Sequence, residues 1–148
     1  MGRRYPSERG TIRHEPVADL DSSELVRVWI EIPQRVPVYQ LCLDTLVAID
    51  VWCRRRWRFP SVYDGGIRYE AEPLGLELFA STPVVFARRF GDCEDLACDV
   101  VAERLLSGIS ARAALRLEEQ NEQGDFWHVL VEHKSGRLED PSITLGMR

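Results

Sequence analysis

The stretch Arg89-Phe90-Gly91-Asp92-Cys93-Glu94-Asp95-Leu96-Ala97 decides how the rest of the chain is read. Asp92 is a residue type that caps helices, and Asp95 three positions later supplies the acidic half of a near capping box, so a helix is expected to begin at Cys93. A thiol at that place lies at the positive end of the helix dipole, beside amides that have no partner inside the helix. Both favour the thiolate, which is the form that attacks carbonyl carbon. Gly91 has no Cβ and is expected to leave room beside the sulfur. Taken alone, the stretch is better read as a capped helix carrying a small buried cysteine.

The downstream sequence changes that balance. Leu96, Ala97, Val100, Val101 and Leu105 keep a three-and-four spacing that turns one face of the helix to a core, and Gly108 ends it. Cys98 falls on a different face from Cys93 and is read as structural. Ile109 to Glu118, Phe126 to Glu132 and Leu138 to Asp140 then read as strands separated by turns, an antiparallel meander with the histidine strand in the middle. His128 and Asp140 can therefore lie on neighbouring strands and on one face, with Asp140 held extended by Pro141. Cysteine, histidine and aspartate occur in an order that an acyl-transfer triad could use. His133 is the rival base, but it lies five residues after His128, and an odd offset on a strand points to the opposite face. Glu139 competes with Asp140 by the same alternation.

The four segments Gly91-Asp92-Cys93-Glu94-Asp95-Leu96-Ala97, Gly108-Ile109-Ser110-Ala111-Arg112, Trp127-His128-Val129 and Asp140-Pro141-Ser142 resemble, in that order, the transglutaminase-like superfamily of papain-fold cysteine enzymes. The resemblance covers about residue 39 to 145. It implies an α+β fold with a papain-like, transglutaminase-like core, in which the nucleophile helix packs on an antiparallel sheet. It also implies Cys93 as nucleophile, His128 as general base and acid, and Asp140, rather than Glu139, as the group that orients the imidazole. The implied activity is hydrolysis of an amide or peptide bond through a thioester, with protein-glutamine acyl transfer or a catalytically inactive interaction module as alternatives. No cofactor is expected, and the partner is a peptide or protein substrate.

Upstream, residues 1–38 read as an N-terminal arm and residues 39–148 as the catalytic domain. Within the arm, Val26, Val28, Ile30 and Ile32 alternate with polar or amphipathic neighbours and could add an edge strand to the sheet, while His14 stands isolated. From Tyr39 to about Arg56, Leu43, Leu46, Val47 and Val51 keep helical spacing. Asp50 is expected at the edge of that stripe, and Arg54 to Arg56 on its wet side. Pro60, Gly65, Gly66, Pro73 and Gly75 punctuate a loop that suits a cleft wall. Thr82-Pro83 marks a further helix start, and the apolar residues after it are expected to brace the cysteine loop.

At 148 residues the chain is long enough for one domain with its own core, and its 45% hydrophobic and 29% charged residues are those of a globular protein. No apolar run approaches the length of a membrane-spanning helix. A formal charge of −5 argues against a nucleic-acid binder, and the basic run Arg54-Arg55-Arg56-Trp57-Arg58 is read as a helix end. The first residues lack the apolar core of a signal peptide, so a cytoplasmic location with reduced thiols is expected. Cys42, Cys53, Cys93 and Cys98 lack the paired spacing of a zinc site, and no metal is expected. The Cys93 amide is one expected oxyanion donor, and Gln34, Gln40, Trp52 and Trp57 are candidates for a second.

Overall fold

A computed structural model describes residues 12–16, 26–30, 36–73, 78–121 and 124–148. Helix α1 (Val36–Arg56) turns Leu43, Leu46, Asp50 and Cys53 inward at the spacing of one helical face. Helix α2 (Thr82–Arg88) starts with proline in its first turn, as the Thr82-Pro83 pair predicts. Helix α3 (Cys93–Leu106) starts at Cys93 and ends on Ser107, before Gly108 at φ 77. Residues Glu94 to Ala102 of α3 are all buried, so it is the central helix, in contact with α1 and with the sheet. Leu43 and Leu96 are fully buried in the same cluster, where truncating either to alanine costs about 2–5 kcal/mol.

The sheet is the expected meander. Strands β5 (Ala111–Asn121), β6 (Gly124–His133) and β7 (Leu138–Glu139) are antiparallel in the order β5-β6-β7, which puts the histidine strand in the centre. His128 pairs with Arg116 and Val131 with Glu139. Val129 and Val131 turn their side chains into the core that α3 shares, so the alternation sends His128 to the other face of β6. A short helix, α4 (Pro141–Thr144), follows β7 directly. The chain is thus a mixed α+β protein, and no helix among the described residues is long and apolar enough to cross a membrane.

Three expectations change. Val26–Ile30 (β2) does not extend this sheet but pairs antiparallel with Ile12–Pro16 (β1) in a separate two-stranded sheet, so part of the presumed arm is strand. The segment between Pro60 and Gly75 is more than a wall. Its Val62 and Ile67 belong to the core, and its strand β3 (Arg68–Tyr69) pairs in parallel with β4 (Phe90–Gly91), just ahead of Cys93. Asp50 and Arg54 are not on the wet side of α1. Asp50 is 0% exposed and its Oδ1 accepts from the Thr82 amide at 2.6 Å, while the Arg54 guanidinium, 6% exposed, donates to Asp99 Oδ1 at 2.6 Å. The periodicity of α1 cannot distinguish a polar residue at the stripe edge from one whose partners come from α2 and α3.

Candidate active site

Cys93 is the first residue of α3, as the capping signal predicts. Asp92 caps the helix by accepting from the Asp95 amide at 3.3 Å. The reciprocal half of the capping box does not form, because Asp95 Oδ1 takes the Ala80 amide at 2.6 Å, a buried donor that needs an acceptor. Gly91 does not make room at the sulfur. A Cβ there would come within 3.0 Å of the Asp95 Cβ, so the missing side chain lets β4 lie against the first turn of α3.

His128 and Asp140 meet directly, with Nε2 and Oδ2 at 3.0 Å. An ionised carboxylate only accepts, which puts the ring proton on Nε2 and leaves Nδ1 as the basic nitrogen. Asp140 has a second task besides holding the imidazole. Its Oδ1 accepts from the Ser142 and Ile143 amides at 3.0 and 3.2 Å, capping α4 while Oδ2 holds the imidazole. Each of its two oxygens is committed, so the fold itself fixes the orientation of the carboxylate.

His133 falls on the opposite face of β6 from His128, as the odd offset predicts. It ends β6, is buried, and its Nε2 pairs with Glu139 Oε2 at 2.7 Å. The two histidines and the two acids sort by strand parity into two separate pairs, His128 with Asp140 and His133 with Glu139. Neither acid serves the other histidine.

Cys93 reaches β6 at the residue next to His128. The Val129 amide bonds toward the sulfur and stabilises its charged form. The thiol itself donates to Glu94 Oε2 at 3.0 Å, and its environment opposes the expected thiolate. Burial pushes the Cys93 thiol well above its ordinary value, and the charges of Glu94 and Asp92 push it further. Helix-end partial charges of about half a unit cannot outweigh two adjacent carboxylates. Burial also raises Cys42 and Cys98, and takes Cys53 to about 11.

Those carboxylates form a cluster that cysteine and histidine spacings do not reveal. Glu72, Asp92 and Glu94 present oxygens within 4.8 Å of one another, a hard donor set of the kind that suits magnesium or calcium rather than zinc. Burial is the first cause of the raised Asp92 and Asp95 carboxyls, followed for both by the charge of Glu94.

Of the expected side-chain oxyanion donors, Gln40 is engaged elsewhere. Gln40 donates to Asp44 Oδ1 and to the Ala113 carbonyl at 3.0 and 2.9 Å, and Trp52 and Trp57 meet edge to face at the C-terminal end of α1. Gln34 lies outside the described residues.

Comparison of the chain with protein-family models, with curated proteins and with solved structures found no match.

Proposed function

We propose that the chain is a cysteine-dependent hydrolase of amide or peptide bonds, in which Cys93 is the nucleophile, His128 the base and acid, and Asp140 the group that orients the imidazole. The observation that carries this reading is the 3.0 Å contact between His128 Nε2 and Asp140 Oδ2, with Cys93 at a helix start beside the amide of Val129. Nucleophile helix and antiparallel meander together are also what a papain-like core of the transglutaminase-like kind would present. The partner is then a peptide or protein.

In the proposed cycle the thiol turns from Glu94 and gives its proton to His128 Nδ1 as sulfur bonds to the carbonyl carbon. The tetrahedral intermediate collapses with loss of the C–N bond, and the imidazolium returns the proton to the leaving amine. Water, deprotonated by the same nitrogen, attacks the thioester, releasing the carboxylic acid and the thiol. Asp140 holds the proton on Nε2 throughout.

The contact of the thiol with Glu94 and its raised protonation favour a second reading, a catalytically inactive interaction module. Incubation with a reactive peptide ester separates the two. An acyl mass on Cys93, absent from Cys93→Ala, supports the enzyme, and its absence across varied esters supports the module. Adding excess primary amine then distinguishes hydrolysis from acyl transfer. Free acid in both tubes supports the hydrolase, whereas efficient amine adducts would replace it with a transferase.

A further inference from the structure

Asp140 is placed by a strand of two residues and a helix of four, too little structure to hold a carboxylate by itself. What holds it begins one residue earlier. Glu139 Oε1 accepts from the Tyr63 hydroxyl and from Arg104 Nη2, both at 2.7 Å, and Oε2 meets His133 Nε2 at 2.7 Å, with Arg137 at 3.7 Å. These partners come from the turn before β3, the last turn of α3, the end of β6 and the β6–β7 connection.

The arrangement joins two parts of the site. Cys93 and Arg104 stand at opposite ends of α3, about 16 Å apart along its axis. The Cys93 end meets β6 at Val129, and the Arg104 end grips Glu139 on β7. The helix that carries the nucleophile is therefore also tied to the strand that carries Asp140. Because neighbouring strand residues point to opposite faces, bonds that lock the Glu139 side chain on the α3 face set the backbone from which Asp140 reaches His128 on the other.

We propose that Glu139 is a positioning residue, the hub of a clamp with Tyr63, Arg104 and His133 that sets Asp140 against His128. This rests on the triad reading above. The clamp touches no reacting atom. It acts by restricting the Asp140 backbone, so that the imidazole tautomer is fixed in advance.

The test follows the hydrogen-bonded imidazole proton of His128 by NMR in the full-length protein, assigned by its loss in His128→Gln, with Asp140→Asn as the control that removes its acceptor. In Glu139→Gln, shown folded by its thermal melt, we expect this proton to exchange with water at least about tenfold faster, and kcat to fall about 10- to 100-fold with little change in KM. Glu139→Asp should recover part of both. Wild-type exchange at His128 in a Glu139→Gln protein that has lost its His133 contact would overturn the clamp and leave Glu139 a stability residue. Should Glu139→Gln not fold, Tyr63→Phe and Arg104→Lys weaken the clamp singly and are read the same way. Absence of turnover in the wild type would defeat the hydrolase reading alone, since proton exchange is measured without substrate.

Discussion

Glu94 accepts a hydrogen bond from Cys93 Sγ at 3.0 Å, so the proposed nucleophile rests against a carboxylate of its own helix turn. The charge that would have to leave before a thiolate forms is therefore known. Glu94→Gln should accelerate alkylation of Cys93 at neutral pH by about tenfold or more, since it removes a unit charge a few ångströms away in a partly dry site. Iodoacetamide labelling as a function of pH, read by peptide mapping, measures this. An unchanged rate would show that burial and the neighbouring Asp92 keep the thiol protonated without Glu94. Cys53 and Cys98, both buried, should label slowly in either protein.

Asp140 should separate catalysis from folding according to the substitution chosen. Asn keeps an oxygen for the Ser142 and Ile143 amides but cannot hold the imidazole proton as a carboxylate does. Asp140→Asn should therefore melt near the wild type while turnover falls by about 1,000- to 10,000-fold. Asp140→Ala also loses the cap and should cost about 1 kcal/mol more in stability. Paired melts and turnover assays decide. A large loss of stability in Asp140→Asn would make the residue mainly structural.

The Arg54–Asp99 pair lies almost wholly out of water, with side chains 6% and 0% exposed, and Asp99 Oδ1 also accepts from the Thr82 hydroxyl at 2.8 Å. Removing the cation leaves Asp99 charged beside the fully buried Asp50. Burial, and next the Asp99 charge, hold the Asp50 carboxyl well above its ordinary range. Arg54→Met should destabilise by roughly 3–5 kcal/mol in urea unfolding. A loss below about 1 kcal/mol would mean that the two acids share a proton and need no guanidinium.

Two groups of acids should bend the stability curve in opposite directions with pH. Asp92 and Asp95 keep their protons to higher pH folded than unfolded, because of burial and neighbouring charge. Their contribution is complete below the ordinary aspartate value and is lost as pH rises through the raised one. Glu139 behaves in reverse. Burial opposes its ionisation, but Arg104, Tyr63 and His133 bring it from 4.5 down to about 2, so its contribution is present above 4.5 and is lost as pH falls toward 2. Asp92→Asn, which keeps an N-cap, should weaken the first trend, and Glu139→Gln should flatten the acid limb. Urea midpoints across pH for the three proteins check both signs.

Much of this architecture is local in origin and could be read from the chain. The start of α3 at Cys93 follows from Asp92, its end from Gly108, the α2 start from Thr82-Pro83, and the meander from alternation between turn residues. The position of His128 opposite Asp140 follows from strand order and parity, which are properties of sequence spacing alone. The division of His128 and His133 between opposite faces was legible for the same reason.

What the sequence could not determine is where side chains from distant segments meet. Nothing local to Asp50 or Arg54 tells that Thr82 and Asp99 will close over them, and a helical stripe reads the same with such residues buried or wet. The charge of the thiol was decided in the same way. Its helix position favours a thiolate, but folding brings Glu72 to Asp92 and Glu94 and buries the latter two beside the thiol, so desolvation and like charge outweigh the dipole. Glu139 likewise gains its role only when Tyr63 and Arg104 arrive from other elements. Backbone preferences act over a few residues and survive in any context, whereas the protonation and partnership of a side chain depend on the dielectric and the charges that the tertiary fold assembles around it.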